Sequence, residues 1–156
     1  TKSSYVLDWG GELVESDKDL WRSLWGGYLD FYKATAPEVQ YELTWKRLLD
    51  NQYNLYGLVA EVDGKVCGLA HYSFQNSTRS PVNYCYLEDL FVDPEIRGKG
   101  AGRALIDAVQ EIAIKAGSSR FYWNTDATNE TARKLYDSYT KESGKVQYRI
   151  PLNPEQ

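Results

Sequence analysis

Apolar residues recur along this chain with two different periods, and each change of period marks an element. Trp21, Leu24, Trp25, Tyr28 and Tyr32 stand at helical spacing. Ser16-x-x-Asp19 ahead of them reads as a capping box, which satisfies orphan amides at a helix start. Gly26-Gly27 predicts a bend in that helix, since each glycine costs up to about 1 kcal/mol relative to alanine. Pro37 closes the region, and a shorter helix is expected over Tyr41–Leu49 with Leu48 and Leu49 facing in. Residues 1–11 read as a lead-in ending at Gly10-Gly11, and Glu12–Val14 as a first short strand.

The period then drops to two. Tyr56–Val62 and Lys65–Ser73 are strand-like runs separated by Asp63-Gly64, a strong hairpin signal because both turn positions need positive φ. Gln75–Val82 is a polar loop, and Tyr84–Val92 a third long strand stopped by Asp93-Pro94. Leu105, Ala108, Val109, Ile112 and Ala116 form a helical stripe that Gly117 terminates. Phe121–Asn124 reads as a strand and Thr128–Tyr139 as a helix with Ala132, Leu135, Tyr136 and Tyr139 inward. Val146–Leu152 is the last expected strand. Hairpins first and a β-α-β-α-β half afterwards argue for an α+β fold, a mixed sheet with helices on both faces.

Length and charge narrow the function. At 156 residues, without repeats, the chain is expected to be a single domain, 1–156. The net charge of −4 disfavours generic nucleic-acid binding. One histidine, His71, does not make a zinc site with Cys67 and Cys85, so no metal is expected. His71 reads as strand packing, and the two cysteines as buried free thiols. No apolar run approaches the roughly 18 residues that span a bilayer, so no membrane partner is expected. The first residues show no signal-peptide core, and a cytoplasmic location is expected.

The stretch Arg97-Gly98-Lys99-Gly100-Ala101-Gly102-Arg103 lies between a strand and a long helix. Its glycines let the backbone approach a ligand, and a helix N-terminus behind them favours phosphate. A nucleotide P-loop needs Lys-Ser or Lys-Thr after the last glycine, and the dinucleotide fingerprint needs Gly-x-Gly-x-x-Gly; neither spacing is present.

The spacing Arg97-x-x-Gly100-x-Gly102 resembles the pyrophosphate signature of the GNAT superfamily of acetyl-CoA-dependent N-acetyltransferases. The preceding strand Tyr86-Leu87-Glu88-Asp89-Leu90-Phe91-Val92 resembles that family's, and Leu-Glu-Asp within it resembles diamine and polyamine acetyltransferases. Asn129-x-x-Ala132-x-x-Leu135-Tyr136 resembles the family's downstream helix, and Tyr122-Trp123-x-Thr125-Asp126 a fungal histone and polyamine acetyltransferase branch. Many members carry Gly-Phe or Gly-Tyr soon after that helix; here Ser138–Gly144 departs from them.

The resemblance implies a twisted mixed sheet of six to seven strands with about four helices. It implies a splay between Tyr84–Val92 and Phe121–Thr125, where the pantetheine arm of acetyl-CoA pairs with Leu90, Phe91 and Val92. Arg97, Gly98, Lys99, Gly100, Ala101, Gly102 and Arg103 would hold the pyrophosphate, and Asn129 the cofactor arm. Tyr136 would protonate the departing thiolate.

The reaction needs a base, because an alkyl ammonium has no lone pair to attack with. Glu88 and Asp89 are out of place in an apolar strand unless they face a cleft. Successive strand residues face opposite sides, so one should meet substrate while the other sits beneath a loop or takes a bulge. Glu88 is favoured as the base and Asp89 as the substrate-orienting group, with the reverse order left open.

The expected acceptor is a small cationic amine: a diamine, a polyamine or a lysine-like compound. Asp30, Glu38 and Glu42 are expected to wall its side of the site. Two alternatives are a protein or histone lysine acetyltransferase, and a non-catalytic acyl-CoA-binding module. A homodimer is expected, with the aromatic residues of the first helix and the C-terminal segment at the interface.

Overall fold

The hairpin expected around Asp63-Gly64 is the middle of the sheet. β2 (Tyr56–Val62) and β3 (Lys65–Gln75) pair antiparallel, with Val62 opposite Lys65. Asp63 and Gly64 themselves lie outside the residues described by this computed structural model, which are 5–8, 13, 15–50, 52–62, 65–96 and 100–153.

The chain divides into two compact units, Thr1–Asn124 and Thr125–Gln156. In the first unit β1 (Tyr5–Asp8) joins β2, β4 (Tyr84–Val92) joins β3, and β5 (Arg120–Trp123) joins β4. The sheet order is β1-β2-β3-β4-β5, antiparallel except for the parallel β4–β5 pair. Five strands among the described residues correct the expectation of six to seven. β1 falls inside the stretch read as a lead-in. Of the expected Glu12–Val14 strand only Leu13 is described, and it is a buried core residue outside any strand. Val146–Leu152 alternates apolar and polar residues, yet it forms no strand, and Val146, Tyr148, Ile150 and Leu152 are exposed. Alternation yields a strand only where a neighbour takes up its backbone hydrogen bonds.

α1 (Lys18–Phe31) runs unbroken through Gly26-Gly27, the pair expected to interrupt it. Close packing explains those glycines. A Cβ at Gly26 would lie 3.2 Å from the Tyr41 hydroxyl, and one at Gly27 would lie 3.2 Å from the Phe91 ring. The approach of α1 to its neighbours offsets a propensity cost of about 1 kcal/mol per glycine. The expected capping box is also absent. Ser16 lies in the short 3-10 turn Glu15–Asp17, and Asp17 is the N-cap without a side-chain cap bond. α2 (Glu38–Leu49) starts earlier than expected because Pro37, with its φ of −69°, serves as N-cap rather than terminator.

Helices cover both faces of the sheet. On one, Trp21 stacks on Trp25 at 5.4 Å and meets Trp45 at 5.1 Å, over Val59, Leu69 and Phe91. On the other, α3 (Ala101–Lys115) buries Leu105, Ile106 and Val109. Each such side chain contributes about 1.5–3 kcal/mol through burial. Gly68 permits this contact, since a Cβ there would lie 3.0 Å from the Phe91 carbonyl oxygen and 3.1 Å from Leu105.

The second unit holds α4 (Glu130–Asp137), shorter than the expected Thr128–Tyr139. Its N-cap is Asn129, whose side chain accepts from the Ala132 N–H at 3.3 Å. Among the described residues no helix is long and apolar enough to cross a membrane, and no cluster of His, Cys, Asp and Glu suits a metal. Cys67 and Cys85 are buried and form no disulfide.

Candidate active site

β4 carries one residue more than the stretch of β3 opposite it. Asp89 faces His71 and Leu87 faces Tyr72, which leaves Glu88 without an opposite number. This is a β-bulge, a device that re-aims side chains. Residues directly opposite share a sheet face. Asp89 therefore shares a face with Tyr86 and Phe91, whereas Leu87 turns to the α3 side and is buried. Strict alternation would have put Leu87 on the face of Asp89. The β5 ladder covers only the first half of β4, from Tyr84–Arg120 to Leu87–Trp123, and ends one residue before the bulge.

The two carboxylates live in different surroundings. Glu88 is solvent-exposed at its surface but crowded by protein. Loss of hydration first, and the charge of Asp89 second, push its pKa above the ordinary range. Asp89 is mostly buried and lies 2.9 Å from Nδ1 of His71. Burial, then the Asp89 charge, push the pKa of Tyr28 on α1 up, so its hydroxyl keeps its proton. On its other side His71 receives the Trp21 indole N–H at Nε2, 2.9 Å away. Burial pushes the Cys85 thiol up to about 12, which removes it as a nucleophile.

Residues of α1 and α2 line an open recess of about 510 Å³: Asp19, Arg22, Ser23, Gly26, Gly27, Asp30 and Tyr41. Of the three expected wall carboxylates only Asp30 lines it. Glu38 and Glu42 are instead taken up by ion pairs: Arg22 with Glu38, and Lys18 with Glu42 at 2.8 Å.

α3 begins at Gly100, whose φ of +84° suits glycine alone without strain. The first closing bond of the helix runs from the Ala104 N–H to the Gly100 oxygen at 3.0 Å. The amides of Ala101 and Gly102, ahead of it, have no intrahelical acceptor and carry the positive end of the helix dipole. Arg103 is exposed on the same turn. Arg97, Gly98 and Lys99 lie outside the described residues. Leu90, Phe91 and Val92 pair with Ala70, Leu69 and Gly68 of β3. In the second unit Asn129 makes the cap described above, and Tyr136 is half-buried on α4.

The sequence alone hides the chain that ends on Asp89: His71 reads as packing, and Trp21 as a member of a helix stripe. A polar His71 in the run Leu69-Ala70-His71-Tyr72 was the available signal. Pairing it with Asp89 requires a register across a bulge that no local pattern reveals.

Residues 18–139 match the acetyltransferase (GNAT) family. The chain is 33% identical over 135 residues to a D-amino-acid N-acetyltransferase of Saccharomyces cerevisiae, covering 85% of this chain and 84% of that protein. It is 41% identical over 69 residues to the thialysine N-epsilon-acetyltransferase of Mus musculus, 41% of this chain and 40% of that protein. An aminoglycoside N-acetyltransferase solved in complex with CoA has the same fold, with a TM-score of 0.81 at 20% identity over 98% of each chain. A family match over most of the sequence and a relative at this identity and coverage leave one assignment: the chain is an N-acetyltransferase of the GNAT family.

Proposed function

We propose that this chain, as one GNAT-type domain over residues 1–156, moves an acetyl group from acetyl-CoA to the primary amine of a small cationic molecule. The carrying observation is the pair Glu88 and Asp89 at a bulge in β4, one exposed with a raised pKa and the other held by His71. Relatives named for D-amino acids and for thialysine act on amines borne by amino acids, which supports a small amine as acceptor.

The residues present suit the co-substrate. Gly100 at positive φ and the Ala101 and Gly102 amides make an anion-accepting turn, with Arg103 beside it. Arg97, Gly98 and Lys99 belong to the same proposed pyrophosphate site. Leu90, Phe91 and Val92 lie past the end of the β5 ladder, the stretch assigned to the pantetheine arm. Acetyl-CoA, when bound, supplies the thioester that the amine attacks and the thiolate that leaves. Asp89 holds the ammonium. Glu88 takes one proton from its nitrogen; a base with a raised pKa does this better near neutral pH. The Tyr136 hydroxyl gives a proton to the sulfur, and the surplus proton on the new amide nitrogen restores it through water. The proton on Glu88 leaves to solvent, which closes the balance. Asn129, already a helix cap, would also reach the cofactor arm.

A cytoplasmic location fits two buried thiols that form no disulfide. A homodimer fits the exposed Val146, Tyr148, Ile150 and Leu152 of the C-terminal segment. Trp21 and Trp25 belong to the core rather than to an interface. Light scattering should give twice the 156-residue mass at micromolar concentration; a monomer at high micromolar concentration contradicts the dimer.

Acetyl-CoA at 100 times its dissociation constant should stabilise the fold by about 2.7 kcal/mol. For a chain of this size that is several degrees in melting temperature. Gly102→Glu sets a negative charge at the helix N-terminus, which the helix tolerates and a pyrophosphate does not. The shift should vanish in that variant, and an unchanged shift overturns the phosphate site.

Thiol release measured over a panel of amines tests the reaction itself. A diamine should outcompete a monoamine of equal length by about tenfold, because a second ammonium adds one charge-assisted bond of about 1.5–3 kcal/mol. Tyr136→Phe should lower turnover at least tenfold with cofactor affinity unchanged, as a group acting on the leaving thiolate does. Absence of transfer to every amine contradicts the function, and turnover within twofold in Tyr136→Phe makes that residue packing alone.

A further inference from the structure

His71 sits in the middle of β3 with 2% of its surface exposed, between α1 and the bulge of β4. The proposed reaction assigns it nothing. An imidazole buried this deeply needs a partner at each nitrogen. It has both: Trp21 Nε1 lies 2.9 Å from Nε2, and Asp89 Oδ2 lies 2.9 Å from Nδ1.

The chemistry of the partners fixes the direction of the chain. An indole nitrogen only donates. Nε2 of His71 must therefore accept, which leaves the imidazole hydrogen on Nδ1. Nδ1–H then donates to the carboxylate of Asp89. Three elements thus meet in one chain: α1 through Trp21, β3 through His71, and β4 through Asp89.

We infer that His71, held in a single tautomer by Trp21, is a positioning residue that fixes Asp89 as the anchoring carboxylate for the acceptor ammonium. The assignment rests on the small-amine reading above. It also resolves the order of the acidic pair. While Trp21 occupies Nε2, His71 has no site for a further proton, so no proton leaves Asp89 through the ring. Asp89 is held by His71 and stays an anchor. Glu88, exposed and outside the ladder, takes the proton.

Steady-state kinetics with the best amine from the panel test this. His71→Leu keeps an apolar side chain of similar bulk in the sheet and removes the Nδ1 donor. It should raise the KM for the amine at least tenfold and leave the KM for acetyl-CoA within twofold. His71→Asn places an amide N–H where Nδ1–H stood, and it should recover most of the amine affinity. Trp21→Phe keeps an aromatic ring in the core and removes the N–H together with part of the indole's volume. It should move the amine KM in the same direction by a smaller factor with the KM for acetyl-CoA unchanged, which gives a second reading of the chain should His71→Leu fail to fold. Melting shifts on acetyl-CoA addition report that each variant is folded. An amine KM unchanged in folded His71→Leu, or in Trp21→Phe, overturns the positioning role, as does a His71→Asn variant no better than His71→Leu. A wild type inactive on every amine overturns the functional reading and this assignment together, whereas an active wild type with indifferent variants overturns the positioning role alone.

Discussion

A buried hydrogen-bond chain with one consistent direction organises the candidate site. Trp21 can only donate, so His71 must accept at one nitrogen and donate at the other, and Asp89 must receive. Reversing any link would strand a buried donor or acceptor, at about 1–3 kcal/mol for each group left unmade. The chain thereby couples the packing of α1 to the orientation of a carboxylate on β4. It also makes the aromatic cluster around Trp21, Trp25 and Trp45 more than filler, since that cluster holds the donor in place.

The bulge at Glu88 makes the chain geometrically possible. With one residue inserted, Asp89 meets His71 on the α1 side while Leu87 still reaches the core beneath α3. A regular strand could satisfy one of those demands and not both. The insertion also leaves Glu88 outside the ladder, exposed and short of hydration, and this is what separates the two acids chemically. The glycines of α1 serve the same arrangement: Gly27 lets the helix settle on Phe91, whose ring Tyr28 meets edge to face at 6.3 Å.

Much of this frame was legible in the sequence. β2 and β4 carry the expected bounds because their alternating runs end at Asp-Gly and Asp-Pro. The stripe of α3 and the glycine at its start were equally plain. Local pattern failed where tertiary contact decides. Gly26-Gly27 predicts an interruption, yet the helix runs through, and its neighbours sit where side chains would be. Val146–Leu152 has the alternation of a strand, yet no ladder takes it up. For the site, the residue types of Glu88 and Asp89 and the glycines of the α3 turn were readable. Their division of roles was not, because it depends on which β3 residue stands opposite Asp89, and a bulge shifts that by one.

The tautomer of His71 tests the central claim most directly. It is the only histidine in the chain, so a long-range ¹H–¹⁵N NMR spectrum of the imidazole reads it without assignment. The account predicts one protonated nitrogen, Nδ1, and an unprotonated acceptor at Nε2, at neutral pH. A hydrogen on Nε2, or on both nitrogens, would contradict the direction of the chain and the role it assigns to Asp89.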